Sequence, residues 1–229
     1  MIGIIVPLIQ EASVFKIKKN ATKRPIEISD NLLLIVSGVG IKNAANAVEV
    51  LAPKVSHLIS WGTAAGISRH LRPGDLLLPD LIKDKNGVEY STDSNFKDQI
   101  VKLLPNGLSY ESGLLRESTN ILKESKDKEE FRKKYNAMAC DMESATIAKL
   151  ANQKGISFNA LRVVTDDYKT PIPKSVHLSI SEDGDFNIRR FLFQLISNPK
   201  DIFHIIQLWK NFSEAKKTML ELKKVVLKL

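Results

Sequence analysis

The chain has 229 residues, of which 43% are hydrophobic, and its formal net charge at pH 7 is +8. This length suits one large α/β domain, and no run approaches the ~18 uninterrupted apolar residues of a transmembrane helix. The first apolar run lacks a basic start and is soon followed by Glu11, so we expect no signal peptide. Cys140 is the only cysteine, which excludes a disulfide framework, fits a reducing cytoplasm and favours a packing role for this side chain.

Most of the excess of positive over negative charge lies in the C-terminal part of the sequence. From Phe186 onward, nine Lys and Arg residues stand against three acids, so the rest of the chain is nearly neutral. A nearly neutral body argues against nucleic-acid binding by the whole domain.

Apolar runs alternate with segments of helical spacing along the chain. The predicted strands are Ile2–Pro7, Leu32–Val36, Val55–Trp61, Asp75–Pro79 and Phe158–Val164, and the predicted helices are Ile41–Leu51, Lys126–Lys134 and Met142–Gln153. Lys126–Lys134 is so charged that we expect it to be solvated, and Asp167–Asp185 is the best candidate for a mobile loop. The alternation predicts a three-layer αβα sandwich with a mostly parallel central sheet.

Acidic and small residues follow several of the predicted strands. Glu11 comes after the first strand, Gly62-Thr63-Ala64-Ala65-Gly66 closes the third, and Glu143 and Asp166 follow later apolar runs. Parallel strands place their carboxyl ends at one edge of a sheet, so three carboxylates and a small-residue loop are expected to converge there. Each of them alone also fits a helix cap or a turn.

The order and spacing of four motifs resemble those of the nucleosidase/nucleoside phosphorylase family. They are Ser37-Gly38-Val39-Gly40, Gly62-Thr63-Ala64-Ala65-Gly66, Asp141-Met142-Glu143-Ser144-Ala145 and Val164-Thr165-Asp166. The similarity covers about residues 1–168 and is strongest to the 5′-methylthioadenosine/S-adenosylhomocysteine nucleosidase branch. The Asp-Met-Glu-Ser form and the basic C-terminal part are similar to hopanoid-associated members, described as adenosylhopane nucleosidases or hopanoid-associated phosphorylases. The resemblance implies a nucleoside phosphorylase-like fold, cleavage of an adenosine-type nucleoside with release of adenine, no cofactor, no metal and a homodimer.

The resemblance also assigns roles to individual residues. Asp166 matches the acid that protonates purine N7, and Glu143 matches the carboxylate that holds the ribose hydroxyls. Met142 matches the residue that packs on the ribose, Glu11 the acid that activates the attacking water, and Thr63 a hydroxyl near the base. An N-glycosidic bond needs acid help at the leaving group and negative charge near the sugar, which agrees with these roles.

Two neighbours of Thr63, namely Gly62 and Ala64, are assigned to substrate binding by the same resemblance. Asp166 must carry a proton when it acts, so we expect a pocket of low polarity to raise its pKa.

Hydrolysis is favoured over phosphorolysis by the residues at the expected nucleophile position. Phosphorolysis needs cations there, and the hexameric purine phosphorylases carry an Arg two residues before the glycine loop. Ser60 stands at that place, and Gln10-Glu11 follows the first strand without an Arg. Arg69 and Arg162 remain as cations that could serve phosphate, although Arg162 also fits an ion pair at the edge of the core.

Other kinds of site are less well supported. Gly38-Val39-Gly40 lacks the third glycine of a dinucleotide fingerprint. The four histidines, which are His57, His70, His177 and His204, show no metal-ligand spacing. The remaining readings are a 5′-methylthioadenosine-type nucleosidase, a purine nucleoside phosphorylase, and a member without turnover that binds a nucleoside or a membrane.

The C-terminal extension, residues 186–229, combines aromatic and aliphatic residues with interspersed lysines. This pattern predicts basic amphipathic helices, divided near Pro199, in an extension of the catalytic domain formed by residues 1–185. Packing on the domain or on a partner subunit explains the apolar face. Peripheral contact of a cytoplasmic protein with the inner membrane surface explains it as well, and would bring a lipid-linked nucleoside to the site.

Overall fold

A computed structural model describes residues 1–17, 23–173 and 201–229 of the chain. The second part of the expected loop Asp167–Asp185 and the first part of the C-terminal extension, with the division near Pro199, lie outside the described residues. No helix within the described ranges is long and apolar enough to cross a membrane.

The described residues form one mixed sheet with helices on both of its faces. The strands are β1 (Ile2–Val6), β2 (Ile26–Ser29), β3 (Leu32–Val36), β4 (His57–Gly66), β5 (Leu76–Leu77), β6 (Leu81–Lys83), β7 (Glu89–Ser91), β8 (Tyr110–Glu111), β9 (Leu114–Glu117), β10 (Ala139–Asp141) and β11 (Ser157–Asp166). The helices are α1 (Ile9–Ala12), α2 (Ile41–Leu51), α3 (Ser94–Leu103), α4 (Ser125–Tyr135), α5 (Ser144–Gln153) and α6 (Asp201–Val226). Two short 3₁₀ turns follow α1 and α2, at Ser13–Phe15 and Ala52–Lys54.

The long strand β4 lies at the centre of the sheet. It pairs in parallel with β1 along His57–Ser60 and with β11 along nearly its whole length. Its end, Ala65–Gly66, pairs antiparallel with β10. Most of the strand pairs are parallel, as the alternation of strands and helices predicts.

Two hydrophobic clusters cover the two faces of the sheet, so the three-layer prediction is confirmed. Successive residues of a strand point to opposite faces: Ile5 of β1 packs with α2 and α5 in one cluster, and Ile4 packs with α1, α3 and α6 in the other. The second half of α6 contributes Ala215, Met219 and Leu222, spaced by three or four residues, to that second cluster. Because these side chains are buried, this half of α6 belongs to the core of the domain.

The first half of α6 extends beyond the carboxyl edge of the sheet. The Thr218 hydroxyl donates to the carbonyl of Gly74 at 2.7 Å, and the Gly74 N–H donates to Val164 near the end of β11. The end of α6 lies at the opposite edge, where the Asn31 amide reaches the Leu229 carbonyl. The preceding turns leave large apolar side chains exposed, which are Ile202, Phe203, Ile206 and Trp209.

Two details of the sequence prediction are wrong. Gly62–Gly66 is the continuation of β4 and not a loop, because β11 pairs with it as far as Ala65. The carboxyl ends of the strands do not all point the same way, because β10 runs antiparallel to β4. The carboxyl end of β10 therefore faces that of β1 along one edge of β4, and β11 pairs with the other edge.

Candidate active site

A cavity of about 200 Å³ opens where the ends of β1, β10 and β11 meet β4. Its lining includes the three expected carboxylates, Glu11, Glu143 and Asp166, and all three are buried. Of the other expected site residues, Met142, Thr63 and Ala64 also line it. The structure thus brings six of the seven predicted residues to one cavity.

Glu11 lies in the single turn of α1, directly after β1. Its Oε1 accepts hydrogen bonds from the backbone N–H of Thr63 at 2.8 Å and from the Thr63 hydroxyl at 2.7 Å. Its Oε2 accepts from the N–H of Leu8 at 3.1 Å. Burial raises the pKa of Glu11, while the charge of Arg162 and these hydrogen bonds oppose the rise. The fixed carboxylate is suited to accept a proton.

Gly62, the seventh predicted residue, lies behind the cavity wall. A Cβ at this position would lie 2.5 Å from Nη1 of Arg162 and 2.9 Å from Oε2 of Glu11. The absence of a side chain allows Glu11 and the guanidinium to approach the same side of β4. Gly62 therefore shapes the site without lining it.

Arg162 is fully buried at the centre of this arrangement. Its Nη2 forms an ion pair with Oδ2 of Asp141 at 2.7 Å and donates to the hydroxyls of Ser60 and Ser144 at 2.7 and 3.0 Å. Its Nη1 has no hydrogen-bond partner among the described residues, although Arg162 lines the cavity. The ion pair expected from the sequence is present, and it leaves one donor for a ligand.

Glu143 is the N-cap residue of α5 and directly precedes its first residue, Ser144. Its Oε1 accepts from the N–H of Gly40 at 2.8 Å, which joins it to the Ser37–Gly40 motif. Its Oε2 lies 3.9 Å from Nη2 of Arg162. Burial raises the pKa of Glu143 from 4.5 to about 7, the charge of Arg162 opposes this rise, and the acids Asp141 and Glu11 add to it. Met142 is partly exposed to the same cavity.

Asp166 ends β11 and is paired with a lysine that the sequence analysis assigned to a solvated helix. Nζ of Lys128 lies 2.5 Å from Oδ2 of Asp166, and Lys128 is 0% exposed. The expectation of a solvated α4 is therefore wrong at Lys128. Burial raises the pKa of Asp166 above its usual value, as expected from the sequence, although Lys128 and the hydrogen bond from Thr165 oppose the rise. The Asp166 carboxyl is therefore buried, but it has the charged ammonium group of Lys128 beside it.

Several lining residues were not singled out from the sequence. They are Pro7 and Leu8, together with Ser118, Asn120, Ile121, Leu122 and Ile172 from two loops, whereas Val39 and Ala65 stand in two of the motifs quoted above. The same loops carry no recognisable motif. Arg69, the other cation considered for phosphate, pairs at the surface with Glu129 and does not line the cavity. Within the described residues, no cluster of three or more His, Cys, Asp or Glu side chains could hold a metal ion.

The family of the chain is shown by a match to a family model. The model described as the phosphorylase superfamily matches residues 26–191. The chain belongs to the phosphorylase superfamily. A comparison with curated proteins finds no significant match.

Solved structures of 5′-methylthioadenosine/S-adenosylhomocysteine nucleosidases have the same fold. The Neisseria meningitidis protein in complex with methylthio-immucillin-A superposes with a TM-score of 0.71 and 17% identity over 100% of this chain and 99% of that one. The Streptococcus pneumoniae protein with the transition-state inhibitor MT-ImmA gives 0.66 and 17% over 98% and 99%. A Helicobacter pylori mutant, an aspartate-to-asparagine variant with 5′-methylthioadenosine in its active site, gives 0.67 and 15% over 100% and 98%.

Proposed function

We propose that the protein is a purine nucleosidase that hydrolyses the N-glycosidic bond of an adenosine-type nucleoside and releases adenine. The observation that carries this proposal is the set of three buried carboxylates on one cavity, with Glu11 and Glu143 beside Arg162 and Asp166 beside Lys128. Family membership and nucleosidases of the same fold support it.

Asp166 acts on the leaving group in this proposal. Protonation of purine N7 lets the base leave as a neutral molecule, and general acid help of this kind contributes about 10²–10⁴-fold to the rate. Asp166 is suited to it because it is buried and lines the cavity.

Glu143 and Met142 act on the sugar. A carboxylate beside the ribose binds its hydroxyls and stabilises the positive charge that develops on the ring. Oε1 of Glu143 is held by Gly40, whereas Oε2 has only the distant guanidinium at 3.9 Å and is free to accept from a hydroxyl. Met142 follows Asp141 directly, lines the cavity and offers a polarisable thioether to the ribose face.

Glu11 activates the attacking water. Three hydrogen bonds hold its carboxylate in place, and Nη1 of Arg162 approaches the same side of Gly62 with an unused N–H. A water bound between an acceptor and a donor is oriented for attack, and the carboxylate takes its proton.

Water fits this position better than phosphate does. Arg162 is the only cation that lines the cavity in the described part of the chain, and Asp141 already neutralises it. Phosphate would meet the Glu11 carboxylate without a second cation to offset the repulsion. Ser60 stands at the position where the hexameric phosphorylases carry an Arg. Its side chain is uncharged, and its hydroxyl accepts a hydrogen bond from Arg162.

The test is adenine release from adenosine, 5′-methylthioadenosine and S-adenosylhomocysteine, with and without phosphate. We expect free ribose or its 5′-substituted form as the second product, at a rate independent of phosphate. A rate that requires phosphate and yields a ribose 1-phosphate would instead support a nucleoside phosphorylase. Binding of these nucleosides without any release of base would support a member that has lost turnover.

For the 5′ substituent, we propose adenosylhopane as the first candidate. The Asp-Met-Glu-Ser motif supports it, and so do the apolar wall residues Leu8, Ile121, Leu122 and Ile172. Methylthioadenosine-type nucleosides are the second candidate, because solved proteins of the same fold bind their analogues.

We further propose that the protein is a cytoplasmic homodimer that associates peripherally with the inner membrane surface through residues 186–229, an extension of the catalytic domain formed by residues 1–185. The exposed apolar side chains at the start of α6 support a membrane contact, since Phe203 is 79% and Trp209 70% exposed. They stand beyond the edge of the sheet on which the cavity opens, and lysines follow along the helix. The dimer rests on the family resemblance alone.

A further inference from the structure

Lys128 is an exception on α4, because every other residue of this helix is exposed or only partly buried. It is fully buried, and each N–H of its ammonium group has an acceptor. Nζ donates to Oδ2 of Asp166 at 2.5 Å, to the carbonyl of Asp167 at 2.7 Å and to the carbonyl of Thr170 at 2.9 Å. A lysine seldom lies fully buried unless it is paired, so α4 brings this cation specifically to the end of β11.

The ion pair poses a question for general acid catalysis. A carboxyl must hold a proton to donate one, and a neighbouring ammonium group favours the ionised carboxylate. Burial opposes this effect and raises the pKa of Asp166, with a smaller contribution from the charge of Asp167, but the ion pair with Lys128 is kept. Thr165 donates to Oδ1 at 3.0 Å, Arg162 on the same strand is paired with Asp141 of β10, and the thiol of Cys140 is neutral because burial and the nearby acids raise its pKa. Asp167, next in the chain, contributes its carboxylate to the turn at Thr170.

We propose that Lys128 is a positioning residue that supplies the proton which Asp166 passes to the leaving base. This inference rests on the proposed nucleosidase function and names the source of its acid. In the pair of Lys128 ammonium and Asp166 carboxylate, the transferable proton is the one that Nζ donates to Oδ2 in the 2.5 Å hydrogen bond.

The proton transfers balance over one turnover. As the C1′–N9 bond breaks and its electrons go to the purine, Asp166 gives a proton to N7 and takes one from Nζ of Lys128, which becomes a neutral amine. Water adds its oxygen to C1′ and loses a proton to Glu11. After adenine leaves, solvent returns a proton to Lys128 and removes one from Glu11, so both groups are restored.

A purely structural role for Lys128 makes different predictions. Its bonds to Asp167 and Thr170 also hold the turn after β11, and a cation that only holds this turn is replaced best by arginine. A proton source is not replaced by arginine, because a guanidinium does not give up its proton in proteins. Methionine removes the cation instead, so that Asp166, still buried, keeps a proton of its own in acidic solution.

The experiment compares Lys128→Arg and Lys128→Met with the wild type on adenosine and on 4-nitrophenyl β-D-riboside, from pH 5 to pH 9. The nitrophenyl group leaves as an anion and needs no proton. On adenosine, we expect Lys128→Arg to lower kcat/KM about 10²-fold at every pH. We expect Lys128→Met to remain active near pH 5 and to lose activity as the pH rises through the pKa of the isolated Asp166. On the nitrophenyl riboside, both variants should match the wild type, which also shows that they are folded.

Three outcomes separate the possibilities. Full activity of Lys128→Arg on adenosine would overturn the proposal in favour of a structural lysine. An equal loss on both substrates would do the same, because it would place the defect outside proton supply. If the wild type cleaves the nitrophenyl riboside but releases no adenine from any nucleoside, the proposed function itself fails, and the proposal for Lys128 fails with it.

Discussion

Gly62 leaves no room for a Cβ beside Arg162, because that atom would lie 2.5 Å from Nη1 of the guanidinium. We therefore predict that Gly62→Ala displaces Arg162 or Glu11 and lowers adenine release at least tenfold, together with an overpacking cost of about 1–3 kcal/mol. Initial rates and urea unfolding measure the two effects. Gly87→Ala is the control, since Gly87 also has a positive φ, which strains an alanine, but nothing lies within 4 Å of its added Cβ. Unchanged activity of Gly62→Ala would show that the guanidinium has no part in the reaction.

Replacement of the proposed acid tests the leaving-group step. Asp166→Asn keeps the shape of the side chain and removes its proton, so adenine release should fall by about 10²–10⁴-fold. Asp98→Asn is a matched control, because this aspartate is exposed on α3 and does not line the cavity. If Asp166→Asn turns over at nearly the wild-type rate, another group donates the proton.

Replacement of the proposed base separates catalysis from binding. Glu11→Gln should lose hydrolysis by about 10²-fold or more, while nucleoside binding survives because Glu143 and Met142 are untouched. Single-turnover rates and calorimetric titration with 5′-methylthioadenosine measure the two properties. Glu49→Gln, a change at an exposed surface pair with Lys154, should alter neither. A loss of binding equal to the loss of rate would place Glu11 in substrate binding instead.

Buried carboxyls with raised pKa values make stability depend on pH. Between the unfolded value of 4.5 and the folded value of about 7, Glu143 binds a proton in the folded state but not in the unfolded one. The free energy of unfolding should therefore fall as the pH rises through this window, by up to about 1.4 kcal/mol per pH unit for this group. Urea unfolding at pH 5, 6, 7 and 8 measures the slope. Glu143→Gln should flatten it, whereas Glu130→Gln at the exposed surface of α4 should not. Equal slopes for wild type and Glu143→Gln would mean that the buried carboxyl does not titrate as proposed.

Binding to vesicles tests the C-terminal extension. If its basic apolar surface contacts a membrane, the protein should bind anionic vesicles in low salt, and added salt should weaken binding by screening. Each lysine near such a surface contributes about 1 kcal/mol. The test variant therefore changes four lysines to glutamate, namely Lys216, Lys217, Lys223 and Lys224. Co-sedimentation measures binding, and adenine release from a small nucleoside should persist.

The control for this experiment makes the same charge change on exposed lysines of other segments. These are Lys54, Lys102, Lys126 and Lys149. If neither wild type nor control binds at low salt, the exposed face of α6 is better explained by a partner subunit, and light scattering at several concentrations would then show a dimer.

The sequence was sufficient to predict the layers of the fold and the three carboxylates of the cavity. It was not sufficient to predict which side chains surround these carboxylates. Helix Ile41–Leu51 has the predicted bounds because its apolar spacing repeats over three turns. The two-residue strands β5 and β8 are too short to have a recognisable period, and only Leu76–Leu77 fell within a predicted strand. The direction of β10 depends on which neighbour it pairs with, which no local pattern records.

The two fully buried cations among the described residues, Arg162 and Lys128, show the same limit. Arg162 stands in the apolar run Ala160–Val164, so its burial and its need for a partner could be inferred. Lys128 is one of several cations on α4, and no local feature distinguishes it from its solvated neighbours. Lys128 is buried only because α4 packs against the end of β11, and this packing belongs to the tertiary structure.

The pairing of β4 with β11 also has a consequence for how the molecule folds. The paired residues His57 and Ser157 are 100 positions apart in the chain, and contacts of such high sequence separation are costly to close and slow to form. Glu11, Glu143 and Asp166 are brought together only after this closure. During synthesis, a growing chain in which β11 has not yet been made can collapse around β1, β3 and β4. Such a chain has no cavity with which to bind a nucleoside. Ligand binding therefore stabilises only the completed sheet, and a nucleoside would rescue destabilised variants by slowing their unfolding more than by speeding their folding.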